Sequence, residues 1–274
     1  MPPSARLAVG LTGHRLDRLG KDGAARLGGQ LDALLARIEQ AARGLAPADL
    51  RLVTGLADGA DAIGADVALA RGWQLDAVLP FFRDDYAGDF ADDPARGAYR
   101  RQLAACGAVF ELDGDLADPA GHGVAYERAG RVTVAQSDLL IAVWDGGPAR
   151  GRGGAPQIVA EAVLAGVPVI QIDPTGTQPD MLLWDGLEEI DLGQQTIETV
   201  ARGSLDALPR LLSSLLDIPE DSRTIFERFA RHRQRRWTAM VAYPLLLAVA
   251  GVRRPRLGDF RTDLQREHHA VDLL

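Results

Sequence analysis

Ser137–Glu161 reads SDLLIAVWDGGPARGRGGAPQIVAE, and the order of residue types in it decides the fold. Leu139 to Val143 is an unbroken apolar run, the mark of a strand buried on both faces. A glycine-rich loop follows, with three glycines between positions 151 and 154 and with Arg150 and Arg152 beside them. A helix then opens near Gly154. Pro156 suits its first turn, where the N–H that proline lacks would go unpaired anyway. Strand, glycine loop and helix start together gather backbone N–H groups and the positive end of a helix dipole, a combination that attracts phosphate or carboxylate.

Working outward, the same grammar recurs. Arg6 to Thr12 is a first strand that ends in Gly13-His14-Arg15, and the spacing of Leu27, Leu31, Leu34, Leu35 and Ile38 predicts a helix over 22–43. A second strand, Leu50 to Thr54, runs into Gly55-Leu-Ala-Asp-Gly-Ala-Asp61 and an alanine-rich helix over 58–71. Gln74 to Leu79 is a third strand, stopped by Pro80. Phe81 to Phe90 is a charged and aromatic loop, of which Arg83 to Phe90 is expected to fold over the site with Arg83 and Tyr86 facing inward. Helices over 95–105 and 125–136, strands over 108–112 and 167–172, an added strand from Leu182 to Leu192 and a leucine-rich helix over 205–216 complete the pattern. Continuous apolar strands alternating with helices predict an α/β, Rossmann-like, doubly wound and mainly parallel sheet. In such sheets ligands sit beyond the carboxyl ends of the strands. All the glycine-rich loops lie at that edge.

Composition narrows the function classes. The net charge is −8, which argues against a general affinity for nucleic acid. Cys106 is the single cysteine, so no internal disulfide or multi-cysteine metal site can form. MPPSARLAVG lacks the apolar core of a secretory signal, and a cytoplasmic location is expected. The charge changes sign after Pro219: residues 220–274 carry +4 and the rest −12. The division expected is therefore a Rossmann-like domain over 1–218 and a basic, then apolar, helical tail over 219–274. Trp237 to Val252 is apolar and free of charge, but at 16 residues it falls short of the roughly 20 that span a bilayer. Packing against the domain or a second subunit is the first reading of it, and membrane contact is the alternative.

Three clusters are candidates for ligand binding. Gly153, Gly154, Ala155 and Gln157 surround the α-helix start, with Arg152 ready for an anion. Gly55, Leu56, Ala57, Asp58 and Asp61 form the second loop, in which Asp58 fits a helix N-cap. Asp61 falls in the first turn, from which a carboxylate can reach a ribose hydroxyl. Thr12, Gly13, His14 and Arg15 end the first strand, and Trp144 and Asp145 end the central one. Trp144 reads either as a base-stacking ring or as core. No HExxH, GxxxxGK[ST] or Ser-His-Asp order occurs, and neither His122 nor His268-His269 has a partner at metal spacing, so no metal or cofactor is expected.

LAVGLTGHR, VTGLADGADAIGADVAL, LPFFRDDYAGDF and the 137–162 block together resemble the SLOG superfamily. That family includes the lonely-guy phosphoribohydrolases, the DNA-processing proteins of natural transformation and bacterial sensors of nucleotide-derived signals. The resemblance covers residues 5–172, and Gly55–Asp61 is similar to the SGLARGID block of the DNA-processing proteins. It implies a Rossmann-like fold with a nucleotide held between the two glycine-rich loops; a homodimer or higher homo-oligomer is a separate expectation. The phosphoribohydrolases carry PGGxGTxxE, and matching Gly153-Gly154-Ala155 to its GGT-like core places Ile158 where the catalytic glutamate would stand. Glu161 lies three residues later. Binding of a nucleotide signal is thus the expectation, and N-glycoside hydrolysis with Glu161 or Asp61 as the acid–base group is the alternative.

Overall fold

The computed structural model describes residues 6–42, 44–148, 151–184 and 196–216. The expectations for the 219–274 tail and for strand continuation past Trp184 to Leu192 lie outside these residues, as does Arg150.

In chain order the elements are β1 (Leu7–Gly13), α1 (Leu16–Ala41), β2 (Leu50–Thr54), α2 (Ala60–Ala70), β3 (Gln74–Phe81), α3 (Arg83–Tyr86), α4 (Asp93–Ala105), β4 (Ala108–Gly114), α5 (His122–Ala135), β5 (Leu139–Val143), α6 (Ala155–Leu164), β6 (Val169–Ile172), β7 (Met181–Leu183), β8 (Arg202–Ser204) and α7 (Leu208–Leu216). Among the described residues, eight strands form one sheet in the order β4-β3-β2-β1-β5-β6-β7-β8. The first six are parallel, while β7 and β8 add on antiparallel. This is the Rossmann-like α/β architecture that the apolar runs imply.

The chain winds outward from β1 to β4 and then returns to place β5 on the other side of β1. That reversal creates a crevice between the carboxyl ends of β1 and β5, the place where open α/β sheets hold ligands. The sheet is covered on both faces. Leu139, Ile141 and Val143 join the cluster that contains Leu27, Leu31, Leu34 and Ile38 of α1. Their neighbours Leu140 and Ala142 face the other way, onto Ile158, Val159 and Ala162 of α6. Every second residue of one short strand thus buries on each side, which is why β5 has no polar position.

Several boundaries differ from the sequence reading for local reasons. α1 starts six residues early, with a break at Gly20 (φ 64°, ψ 171°) that separates a first turn from the long amphipathic part. β3 runs through Pro80 instead of stopping there. Proline has no N–H to give a neighbouring strand, and the β3–β4 pairing slips between Leu79 and Phe81 to accommodate it. Asp58 is not the cap of α2; Gly59 holds that position with φ 108°. A Cβ there would lie 2.6 Å from the Leu16 N and 2.7 Å from the His14 O, so only glycine lets the two loops pass.

Candidate functional site

A pocket of about 340 Å³ opens at the crevice between β1 and β5. Three glycine-bearing segments meet there because their backbones approach closely. Gly13 would drive a Cβ to 2.6 Å from both the Ala60 and Val143 side chains, and the Ala60 N–H donates to the His14 carbonyl at 3.0 Å. At Gly153 (φ 79°) an added Cβ would lie 2.7 Å from the Glu127 backbone nitrogen on α5. These contacts fix the loops to one another without a ligand.

One wall is the start of α6. Gly151, Arg152, Gly153, Gly154, Ala155 and Pro156 line it, so the positive end of that helix abuts the pocket. Gln157 does not line the pocket. Its side chain accepts from the Gly153 N–H at 2.8 Å and supports the loop from behind. Ile158 lines the wall and is buried, whereas Glu161 points away and pairs with Arg131 at 2.7 Å. Glu161 is therefore excluded as an acid–base group in this pocket.

The opposite wall comes from the ends of β1 and β2. Thr12, Gly13, His14 and Arg15 line it, joined by Gly55, Ala57 and Asp61. Leu56 and Asp58 do not; Leu56 turns the loop in the left-handed region (φ 53°) and buries its side chain in the main core. Asp61 is almost fully buried, and that desolvation pushes its carboxyl up to about 6. The Thr54 hydroxyl, the N–H groups of Ala57 and Gly55, and the Arg15 charge pull the other way.

The arginines are not waiting for an anion. Arg15 pairs with Asp89 at 2.8 Å and lies over the Tyr126 ring, 4.9 Å from its centroid. Tyr126 in turn donates to Asp89 at 2.8 Å. Arg18 pairs with Asp145 at 3.2 Å, and Arg152 pairs with Glu127 on α5. Asp145 itself lies outside this pocket, in a neighbouring cleft that it shares with His14, Arg18 and Lys21. Burial would raise its pKa, but the Gly147 N–H, His14 and Arg18 more than offset this and keep it low.

Trp144 is core, not a stacking platform. Its ring joins the α6-side cluster, and its indole N–H donates to the Gly147 carbonyl at 2.7 Å. Arg83 also departs from expectation: its backbone N–H donates to Glu111 at 2.8 Å and its guanidinium pairs with the same carboxylate. The 81–90 stretch is not a flap. Phe81, Tyr86, Phe90 and Tyr99 pack ring to ring, with Phe90 and Tyr99 stacked at 4.8 Å. Tyr86 does line the pocket, from inside that cluster.

Arg18, Tyr126, Gly130 and Thr133 also line the pocket and were missed in the sequence. Arg18 had a signal, because it follows Arg15 by one helical turn. Tyr126, Gly130 and Thr133 had none, since α5 reaches the pocket only by packing on the sheet face formed by Ala8, Val53 and Val78.

Fold and crevice define the class: a Rossmann-like α/β protein with a pocket at its topological switch point, the fold that the resemblance to the SLOG superfamily implies. No family model matches the sequence, and no curated protein does. Among solved structures, the chain is similar to DNA processing protein A (DprA) from Streptococcus pneumoniae, at 20% identity and a TM-score of 0.41. That likeness covers 61% of this chain and half of the other. It is also similar to the structural-genomics target TM1055, at 14% identity and a TM-score of 0.35, over 60% of this chain and 72% of that one.

Proposed function

We propose that the pocket binds a nucleotide or nucleotide-derived signal and that the protein acts as a sensor or regulatory module. The observation that carries the reading is the placement of the α6 start and the buried Asp61 on opposite walls of one crevice. A helix start suits a phosphate, and a buried carboxylate suits a polar group that donates hydrogen bonds. Ile158, in the position of the hydrolase glutamate, supports binding without turnover.

A screen of nucleotides, cyclic nucleotides and ADP-ribose derivatives by thermal shift tests this. A ligand at 100 times its Kd adds about 2.7 kcal/mol to the native state and raises Tm. A panel that leaves Tm unchanged overturns the reading.

Hydrolysis of an N-glycoside is the second reading, favoured by one observation: Asp61 lines the pocket with its carboxyl buried and pushed up to about 6 by desolvation, toward the range in which a general acid or base works. Release of free base from AMP, abolished in Asp61→Asn, is its signature. Self-association into a homodimer or higher oligomer is also proposed, with light scattering as the measurement. Among the described residues no helix is long and apolar enough to cross a membrane, and Trp237 to Val252 lies outside them.

A further inference from the structure

Tyr86 is fully buried, yet its hydroxyl has no hydrogen-bond partner. Buried hydroxyls are nearly always paired, so this one calls for an explanation. The ring sits among Phe81, Phe90 and Tyr99, with centroids 5.3 to 5.8 Å away, and cannot swing out to solvent. The residue also lines the pocket, on the same side as Asp61. Burial raises the Tyr86 phenol well above its ordinary pKa, and the Asp61 charge acts in the same direction.

The aromatic faces nearby are already taken. Arg15 covers Tyr126, and the Tyr86 ring is packed among its aromatic neighbours. A planar base would find no open ring to stack on there. A sugar hydroxyl fits better, because it can donate to a carboxylate while accepting from a phenol. Resting on the nucleotide reading above, we propose that Tyr86, with Asp61, forms the subsite for the ribose hydroxyls and makes the pocket selective for ribonucleotides over 2′-deoxyribonucleotides.

Calorimetric titration of the full chain at pH 7.5 with the 5′-monophosphates of adenosine, guanosine, cytidine and uridine, and with their 2′-deoxy and 2′,3′-dideoxy analogues, tests this. The expected result is that loss of the 2′-hydroxyl weakens binding about tenfold or more, the worth of one well-placed hydrogen bond. In Tyr86→Phe the preference should shrink to within about threefold, while Tm does not fall, because the substitution removes only an unpaired hydroxyl. A positioning role for the ring alone would leave the preference intact in Tyr86→Phe. Equal affinity of ribo and deoxy forms for the unsubstituted protein overturns the subsite and leaves the nucleotide reading standing. That comparison needs no variant to fold. Failure of these monophosphates, and of the cyclic nucleotides and ADP-ribose derivatives of the thermal-shift panel, to bind overturns both.

Discussion

The two walls of the pocket are built on opposite plans. On the α6 wall the charged group is at the surface: Arg152 is 59% exposed and already paired with Glu127. On the β2 wall the polar groups are buried, with Asp61 at 8% exposure and Tyr86 at 0%. Charged and glycine-rich residues draw attention to the first wall in the sequence, yet the groups under chemical tension stand on the second. Arg152 reaches from solvent to the buried Glu127 carboxylate, so both of those charges are already met. The Tyr86 hydroxyl, buried without a partner, carries its desolvation cost until something meets it.

This contrast can be broken or sharpened. The largest effect is expected at Gly59, where the β2 loop passes the backbone of Arg15 and Leu16. Gly59→Ala combines a positive φ with a Cβ 2.6 Å from backbone, and should cost about 3 kcal/mol or more in a urea melt. A smaller loss would mean that the two loops are less tightly joined than the geometry indicates.

Asp61 gives the next effect, through pH. A carboxyl raised from 3.8 to about 6 holds its proton more tightly in the folded than in the unfolded chain. Its contribution therefore favours the fold below pH 4 and is lost as pH rises from 4 to 6. The shift corresponds to about 3 kcal/mol. Urea melts between pH 4 and 8 should show that slope in the unsubstituted protein and its absence in Asp61→Asn. An identical slope in both would assign it to another group.

Smaller effects belong to the α6 side. Glu161→Gln should leave ligand-induced Tm shifts unchanged, because Glu161 faces Arg131 and not the pocket. Gly151→Ala should change stability by no more than about 0.5 kcal/mol, since a Cβ there has nothing within 4 Å. The adjacent Gly153, with its positive φ and close Glu127 backbone, should not tolerate the same change. Equal costs at 151 and 153 would remove the distinction between a surface glycine and a packed one.

Much of the architecture was legible because it is local. The apolar run at Leu139–Val143 and the 3–4 spacing of Leu27, Leu31, Leu34 and Ile38 each specify an element within one stretch of chain. The Gly13 and Gly153 loops announced themselves in the same way. Asp58 misled, because an N-cap motif is a preference for a residue type, and the passing backbone at Gly59 overrode it. Trp144 read both ways until the cluster on α6 claimed it. Arg83 and Tyr86, expected to face inward together, separated because Glu111 on β4 holds the first and an aromatic cluster holds the second.

By itself the sequence determined the order of strands and helices and the two glycine loops at one edge of the sheet. Those features depend on residue type and near spacing. Only the tertiary structure decided which charges are already met. Arg15 finds Asp89 across 74 positions and Arg18 finds Asp145 across 127, pairings that no local pattern encodes. The same folding brings α3 under the pocket and leaves the Tyr86 hydroxyl buried without a partner. Burial and pairing are properties of the packed chain, and they set the buried Asp61 and Tyr86 into the pocket that the start of α6 also lines.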